Sequence, residues 1–600
     1  MAGIGFLKPP VDLRQTVVRF APSILCSIVC FLLTLVLSHD SLRKAFDLQG
    51  SDRGIYQVIY IFVCGYFWFG SVRLLAESRQ WPARQLWSIA VGVYAGIAIL
   101  LSLSPQWELH LMFIGPALLL FLMVAPYTQK SADEFSFWNF NRLLWTGATV
   151  SFAVSILLAM ALCAILGSIE YLFDLKDSMN RNLYGDSWLF CSMLFCPVFT
   201  LFWVPRGFTF KTGGFEFPAP LRFFIVWILA PLVVVYFLIL YAYTGLILIH
   251  RELPKGNLAY MITGFGGAGM LLQLVAWPLR EGGSRFLNFV LKYFYPALVV
   301  PVVMLFVSIG TRISEYGITE QRYAIVLVGL WFCAMVAAFI SRREKLSPRL
   351  IPAVALVLAI AASFGPWGAV SVSGRSQLAR LHDLLVRHGL LVDGHIVEAK
   401  GAIPFADQKN ISSLIDYIRK TERASAVIPW FPKNPEADNS FNSEAAMHAM
   451  GLKYIGEWQE KDNGESIYLR GDDGQVTAVT GYDYVVLQTL STYGSINNST
   501  SGAVKISANG SKGPSDISFQ LKDGILNVRV EGHGALDFDL KSFIENRIAG
   551  GPPPYDDKPM VMDAEKDGLR LRLIVQNASV NSKDKSLTIE SIAVRLLVGF

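Results

Sequence analysis

Eleven long apolar runs fill the first 373 residues and constrain the fold of this chain more than any other feature. A helix needs about 20 apolar residues to cross the ~30 Å hydrocarbon core of a bilayer. Runs of that length recur along the first part of the chain, so we predict eleven membrane-spanning helices. They cover residues 20–38, 55–76, 84–103, 107–126, 143–169, 187–205, 222–249, 258–278, 287–310, 321–341 and 350–372.

Charge is distributed unevenly between the two parts of the chain. Only 16% of the 600 residues are charged, against about 25% in ordinary soluble proteins. Residues 375–600 hold 25 Lys or Arg and 29 Asp or Glu, which leaves 27 basic and 18 acidic residues before them. The net charge of +5 therefore reflects the basic loops of a membrane protein. We expect membrane lipids as partners, with other envelope proteins or glycans as further candidates, and no nucleic acid.

Lys and Arg in the short loops predict the orientation, because basic loops remain on the cytoplasmic side. With a cytoplasmic N-terminus, the inner loops hold 17 basic residues and the outer loops hold 9. An odd number of spans then carries residues 375–600 across the membrane. We expect a multi-pass protein of the bacterial inner (plasma) membrane with a cytoplasmic N-terminus and a periplasmic C-terminal domain.

Charged segments beside several spans fall on the outer side under this topology. The turn RISEYGITEQRY, residues 312–323, joins the ninth and tenth spans, and HRELPKG, residues 250–256, follows the seventh. Charges near hydrocarbon are usually paired, so Glu252 and Glu315 are expected to pair with the arginines around them. We predict an anchoring or docking role for this outer-face cluster; a substrate site or a solvated interfacial belt are the alternatives. Its members are Arg251, Glu252, Lys255, Arg312, Glu315, Tyr316, Glu320 and Arg322.

Three motifs carry a resemblance to a known family. They are ELPKG at 252–256, RISEYGITEQRY at 312–323 and SFGPWGAVSVSGRSQLARL at 363–381, in this order and spacing. With them the chain resembles the bacterial DUF4153 family of uncharacterised polytopic inner-membrane proteins. The resemblance implies a polytopic inner-membrane protein with an extracytoplasmic C-terminal part. It implies no activity, so it assigns no catalytic residue.

Motifs for cofactors and metals lack the context that they need. GFGGAG at 264–269 matches the dinucleotide-binding pattern but lies inside the eighth apolar run, so we predict close helix packing there instead. The eight histidines are scattered, and neither HExxH nor CxxC occurs. We therefore expect no metal and no cofactor.

An acidic loop offers an alternative function. Asp40, Asp47 and Asp52 lie between the first two spans, on the outer side where the fourth span begins with Trp107 and Glu108. Transferases that use lipid-linked sugars place an acidic base or metal ligand in such a loop. The alternative is therefore a lipid-linked glycosyltransferase-like enzyme or a lipid or solute transporter.

The pattern changes in the last third of the chain. Residues 376–390, 411–420 and 443–451 have helical periodicity. From residue 465 the apolar residues alternate, which is typical of strands, with Asp523-Gly524 and Asp567-Gly568 placed as hairpin turns. We predict a transmembrane helical domain at 1–373, a helical linker region at 374–460 and a β-rich periplasmic domain at 461–600.

The predicted fold class is an α-helical polytopic membrane bundle of about eleven helices, followed by an α+β extracytoplasmic domain with an antiparallel sheet or sandwich. The predicted function is that of an envelope binding or assembly protein in the inner membrane. Whether it is an enzyme stays open, since no catalytic residue follows from the sequence.

Overall fold

The computed structural model describes residues 13–45, 52–129, 133–173, 182–210, 215–250, 258–280, 282–342, 346–432, 435–437, 440–456, 465–470, 479, 482–491, 499–506, 515–548, 560–583 and 586–599. The chain divides into two compact units. One comprises Met1–Ala402 with Leu414–Leu452, and the other Ile403–Ser413 with Lys453–Phe600. The predicted domain boundaries after residues 373 and 460 stay predictions.

Helices make up most of the described chain before residue 452. Polar side chains cap several of their N-termini: Asp133 accepts a hydrogen bond from the Ser136 N–H at 2.8 Å, as capping residues commonly do. In chain order the helices are α1 (Leu13–Arg19), α2 (Ala21–Ser38), α3 (Asp40–Ala45), α4 (Asp52–Arg79), α5 (Ala83–Leu103), α6 (Trp107–Val124), α7 (Glu134–Leu172), α8 (Asn182–Leu189), α9 (Cys196–Leu201), α10 (Ala219–Phe223), α11 (Ala230–His250), α12 (Leu258–Val275), α13 (Arg285–Tyr316), α14 (Glu320–Arg342), α15 (Leu350–Ser363), α16 (Ala369–Arg387), α17 (Phe405–Lys420) and α18 (Ser443–Ala449).

Nine helical segments are long and apolar enough to cross a membrane, counting only residues that the structure describes. Their outward faces are apolar, as lipid contact requires. The protein is therefore a multi-pass membrane protein, but the predicted number of eleven spans is not confirmed. The nine are Ala21–Ser38, Asp52–Arg79, Ala83–Leu103, Trp107–Tyr127, Glu134–Leu172, Ala219–His250, Leu258–Val275, Arg285–Tyr316 and Glu320–Arg342.

Two predicted spans are not among these nine. Residues 187–205 fall in a helical run that starts as α8, passes through a π-helical turn at Phe190–Phe195 and ends as α9. Residues 350–372 contain α15, which has only 14 residues. At about 1.5 Å per residue, α15 is roughly 21 Å long and shorter than the hydrocarbon core. The chain leaves the helix at Phe364, which is extended, and Gly365, whose φ is +79°.

Both ends of the α8–α9 run contact the two ends of α2. At one end the Asp186 carboxylate lies 2.9 Å from Nε2 of His39. At the other end Arg19 donates to the carbonyl oxygens of Val204 at 3.2 Å and Pro205 at 2.9 Å. The run therefore lies antiparallel to α2 and extends over its whole length.

Helix α15 lies antiparallel to α6 in the same way. Arg349, just before α15, donates to the carbonyl oxygen of Gln129 at 3.3 Å. The Ser363 carbonyl, at the other end of α15, lies 3.2 Å from Nδ1 of His110. Between these contacts Leu356 belongs to one apolar cluster with Ala117 and other α6 residues. Helix α15, with Arg349 before it, thus lies beside most of the length of α6.

The GFGGAG motif lies in α12 and packs against two neighbouring helices. A Cβ on Gly266 would overlap the ring of Phe332 in α14, and one on Gly269 would overlap the ring of Phe294 in α13. Glycine is therefore required at both positions for close helix contact. The predicted packing role of the motif is confirmed.

Strands and one helix make up most of the second unit. The larger strands form a four-stranded antiparallel sheet in the order β10-β9-β8-β7, and a five-stranded sheet in the order β11-β12-β13-β6, with β5 paired to β12. In chain order the strands are β1 (Leu391–Val392), β2 (His395–Ile396), β3 (Glu436–Ala437), β4 (Ser440–Phe441), β5 (Glu465–Arg470), β6 (Tyr484–Ser491), β7 (Ser499–Ile506), β8 (Ser515–Lys522), β9 (Ile525–Val530), β10 (Gly534–Asp539), β11 (Val561–Lys566), β12 (Leu569–Lys583) and β13 (Ser586–Gly599), and α19 (Leu540–Ile548) follows β10.

The two larger sheets share one apolar core. Phe519 and Val528 of one sheet and Leu573 and Val594 of the other belong to the same buried cluster, as in a β-sandwich. Asp523 and Gly524 have φ values of +52° and +83°, and Asp567 and Gly568 have +50° and +84°. These are the conformations that two-residue hairpins need, so the predicted antiparallel sheets and both hairpins are confirmed.

Candidate functional site at the Glu320 turn

The turn between α13 and α14 is tight and depends on Gly317. Gly317 ends α13 with a φ of +70°, and its N–H donates to the carbonyl oxygen of Ile313 at 2.8 Å. A left-handed residue after a helix is usually glycine. A Cβ at this position would also lie only 2.9 Å from Nε2 of Gln377. The local sequence thus fixes the direction in which α14 starts.

Helix α16 holds this turn through its polar side chains. Nε2 of Gln377 donates to the carbonyl oxygens of Tyr316 at 3.1 Å and Ile318 at 2.8 Å. The Ile318 N–H donates to the Ser376 hydroxyl at 2.9 Å. These bonds satisfy backbone groups that a helix end leaves without partners. The turn is therefore attached to α16 as well as to its own helices.

Glu320, the first residue of α14, forms a buried charged pair. Its side chain is 7% exposed, and Nη1 of Arg423 lies 3.2 Å away with a side chain that is 13% exposed. The Tyr417 hydroxyl donates to the same carboxylate at 2.8 Å, and Arg423 also donates to the carbonyl oxygen of Val370 at 2.6 Å. Buried charges persist where such partners surround them. We call Glu320, Tyr417 and Arg423 the Glu320 cluster.

Tyr417 is kept in its protonated form within this cluster. Burial, together with the neighbouring Glu320 carboxylate, raises the pKa of the Tyr417 hydroxyl far above its ordinary value. It therefore remains a donor to Glu320, while Arg423 donates to its oxygen at 2.5 Å. The cluster is organised for rigid anchoring, since each of its polar groups already has a partner.

Glu422 extends the anchoring to two further helices. Its carboxylate pairs with Arg53 at the start of α4. Its carbonyl oxygen accepts a hydrogen bond from Nε2 of Gln106, just before α6, at 3.0 Å. Residues 422 and 423 thus connect one short segment to α4, α6 and α14. We refer to this side of the helices as the Glu320 end, and to the side with Arg349 as the Arg349 end.

Tyr316 lies between two guanidinium groups. The carbon centres of Arg322 and Arg380 are 5.5 Å and 5.6 Å from the centre of its ring, within cation–π range. Arg322 also donates to the carbonyl oxygens of Tyr316 and Gly317 at 3.0 Å and 2.7 Å. The Tyr316 side chain is 42% exposed. It thus presents an aromatic surface with two cations beside the membrane helices.

The structure assigns different partners from those expected in the outer-face cluster. Glu315 is exposed, and neither it nor Arg312 forms an ion pair with a described residue. The expected pairing of Glu315 with Arg312 and Arg322 is therefore wrong for the described chain. Glu320 pairs instead, with a residue 103 positions away. Arg251, Glu252 and Lys255 lie outside the described residues.

The acidic loop is only partly described. Asp40 and Asp52 both pair with Arg43, while Asp47 lies outside the described residues. The described part of the chain contains no group of three or more His, Cys, Asp or Glu side chains arranged to hold a metal ion. Two of the three aspartates thus share one basic partner, Arg43.

Sequence reasoning found Glu320 but missed its partners. Tyr417 and Arg423 lie in helical or loop sequence with no distinguishing motif. Gln377, which bonds the same turn, lies within the 363–381 motif, but nothing in that motif indicates this contact. Glu422 and Arg423 lie just after the amphipathic helix α17. Charged residues at a helix end are usually solvated, so the sequence contained only a weak indication of their contacts. Only the tertiary structure brings them to α14.

The apolar spans and the anchored polar segment define the class of the protein. It is a multi-pass membrane protein that carries a helical layer and antiparallel sheets after its last long apolar helix. The profile of the family described as "Domain of unknown function (DUF4153)" matches residues 21–383. The chain therefore belongs to the DUF4153 family, and the resemblance seen in its sequence motifs is confirmed.

A relative supports the same assignment. An uncharacterised protein of Pasteurella multocida (strain Pm70) is 26% identical over 432 residues, which are 70% of this chain and 70% of that protein. No solved structure matches the chain. Family membership therefore extends over the membrane helices and leaves the activity open.

Proposed function

We propose that this is a bacterial inner-membrane protein that crosses the membrane eleven times and serves as a binding or assembly protein of the cell envelope. The observation that carries the proposal is the buried Glu320–Arg423 pair. It fixes α16 and the polar segment Leu414–Leu452 to the ends of membrane helices. A protein that presents a surface to partners needs such a rigid attachment.

Contacts at helix ends support the number of crossings. The α8–α9 run extends from His39 to Arg19 beside α2, and α15 extends from Gln129 to His110 beside α6. Since α2 and α6 are long enough to cross, a neighbour that covers their length crosses as well. Adding these two segments to the nine gives eleven.

Charge supports the orientation. Arginines gather at the Arg349 end, including Arg19, Arg73, Arg79 and Arg342, as expected for a cytoplasmic face. The Glu320 end then faces the periplasm. An odd number of crossings also carries the β-rich C-terminal domain to the periplasm.

The ion pairs and exposure of the candidate residues favour a binding role over a catalytic role. A base or metal ligand needs a carboxylate that is free to act, yet Arg43 holds both Asp40 and Asp52. By contrast, Tyr316, Glu315 and Trp367 are exposed around a turn that is rigidly held. The glycosyltransferase-like or transporter alternative therefore has less support than a docking surface for envelope proteins, glycans or lipids.

Photo-crosslinking in living cells tests the proposal. A photoreactive amino acid replaces Tyr316 at the Glu320 end, and in a control variant it replaces Trp87, whose side chain is 48% exposed, at the Arg349 end. We expect a discrete adduct with a periplasmic or envelope component from position 316 and none of the same mass from position 87. Identical adducts from both positions, or reaction with cytosolic proteins from position 316, would contradict the proposal.

A further inference from the structure

A groove at the Glu320 end lies between the first turns of α4 and α6. Its volume is about 710 Å³, within the size range of ligand sites. It is separate from the Glu320 cluster and combines charged, aromatic and aliphatic side chains. The lining residues are Asp52, Arg53, Tyr56, Tyr60, Trp107, Glu108, Leu111 and Met112.

The charges of the groove favour a cationic ligand group. Asp52 and Glu108 both line it, and Glu108 is exposed without an ion pair to any described residue. Asp52 pairs with Arg43, and Arg53 pairs with Glu422. Arg43 also pairs with Asp40, so its single charge cannot balance both aspartates. With Glu108 added, the groove region carries an excess of negative charge. An anionic ligand would meet repulsion from it.

Three aromatic rings line the groove beside this carboxylate. Tyr60 and Trp107 have ring centroids 5.5 Å apart with planes inclined by 42°. Tyr56 lies one helical turn before Tyr60 on α4, and both tyrosines are about half exposed. Aromatic faces next to a carboxylate bind ammonium groups through cation–π attraction. The rings therefore favour a cationic ligand group, as Glu108 does.

The groove continues from polar to apolar along the helices. Asp52 and Glu108 lie in the first turns of α4 and α6, whereas Leu111 and Met112 lie about one turn further along α6. From Asp52 to Tyr60 the groove descends about 12 Å along α4. This depth covers the headgroup layer and the first part of the hydrocarbon. A ligand with a polar head and an aliphatic chain matches both ends.

We propose that this groove binds the headgroup of a phosphatidylethanolamine molecule. The primary ammonium donates to Glu108 and lies against the rings of Tyr56 and Tyr60. The phosphate lies nearer Arg53, which uses only part of its five N–H donors on Glu422 and the carbonyl oxygen of Pro105. An acyl chain follows Leu111 and Met112. This site does not depend on the docking role of the Glu320 cluster.

Native mass spectrometry of the full chain tests the site. The purified protein is equilibrated in detergent with equimolar phosphatidylethanolamine and phosphatidylglycerol, and the bound lipids are counted. We expect a bound ratio of about ten to one in favour of phosphatidylethanolamine, a preference of the size given by one charge-assisted hydrogen bond. A ratio near one, or a preference for phosphatidylglycerol, would overturn the proposal.

Matched variants locate the preference. Glu108→Gln is expected to lower the ratio about fivefold, because it removes the unpaired charge and keeps the side-chain shape. Glu444→Gln removes an exposed carboxylate of α18, outside both the groove and the Glu320 turn, and is expected to leave the ratio unchanged. Tyr60→Leu removes a ring without changing charge and should also lower the ratio. Equal ratios in the Glu108 and Glu444 variants, with unchanged elution on size exclusion, would reject the groove as the site.

Discussion

The role of Glu320 depends on its burial in the fold. Glu320 and Glu315 are both acidic residues of one turn, yet Glu320 is buried and Glu315 is exposed. Glu320 has two charge-assisted hydrogen bonds, from Tyr417 and Arg423. The buried pair thus holds the second half of the turn, while the side chains of Glu315 and Tyr316 in its first half are exposed.

Replacing Glu320 by Gln should destabilise the attachment of the polar segment strongly. The substitution leaves the Arg423 guanidinium buried without a counter-charge, which costs about 3 kcal/mol or more. We expect a lower unfolding temperature in detergent and faster proteolytic cleavage within Leu414–Leu452. Glu315→Gln is the matched control and should change stability by less than about 0.5 kcal/mol.

The double variant Glu320→Gln/Arg423→Met separates the charge effect from general disruption. Removing both charges leaves no buried ion uncompensated, so part of the lost stability should return. The unfolding temperature and the protease resistance of Leu414–Leu452 measure this recovery. Equal unfolding temperatures for the Glu320 and Glu315 single variants would show that the buried pair does not hold the segment.

A second ion pair should make the β-sandwich sensitive to acid. Asp563 in β11 faces Arg572 in β12, and the hydrogen bond from Arg572 lowers the pKa of the Asp563 carboxyl. A lowered pKa adds stability above the ordinary value near 4, and this stability is lost as pH falls through the lowered value. The pair is partly exposed, so its contribution is below about 1 kcal/mol.

Asp563→Asn should therefore speed amide hydrogen exchange in the β11–β12 hairpin at neutral pH, by up to about fivefold. The difference from the unsubstituted protein should shrink as pH falls below about 4, where the unfolded chain becomes protonated, and vanish below the lowered pKa of the folded chain. Glu531→Gln, an exposed residue of another hairpin, serves as the control. A difference in exchange rate that increases toward low pH would contradict the stabilising role of this pair.

Among the helices and strands, sequence periodicity predicted those elements whose formation depends on neighbouring residues. Apolar runs predicted the long membrane helices, and Asp-Gly pairs predicted two hairpins, because lipid exposure and positive φ act on a few neighbouring residues. The partners of Glu320 were not predictable in this way. Arg423 is far away in sequence, and no spacing rule connects it to α14. Close helix packing at Gly266 and Gly269 was predictable, because a glycine-rich run inside the membrane favours it. The helices that they contact were not predictable.

Helix α15 is shorter than a typical membrane span, although its contacts with α6 suggest that it crosses the membrane. Its 14 residues are fewer than a typical span requires, yet its ends meet both ends of α6. If α15 crosses, its two flanks lie in different compartments. Cysteine placed at Phe364, which is 39% exposed, should react with a membrane-impermeant thiol reagent in cells with a permeabilised outer membrane.

Cysteine at Arg342, which is exposed at the end of α14, should react only after the inner membrane is opened. The parent protein with its native cysteines gives the background labelling, and those cysteines lie in apolar helices. Labelling of both engineered positions under the same condition would show that α15 turns back within one leaflet. The number of crossings would then be ten.

For the whole molecule, the parity of the crossings decides the compartment of the second unit. Within the described residues, nine long helices and two shorter segments with contacts at both ends would together give an odd number. A fluorescent reporter that matures only in the cytosol, fused after Phe600, should therefore stay dark, and alkaline phosphatase at the same position should be active. The same two reporters fused after Arg342, in a truncated chain, should give the opposite result. Fluorescence from the fusion at Phe600 would place the β-sandwich in the cytosol, and the Glu320 end would then face the cell interior, where no envelope partner could reach Tyr316.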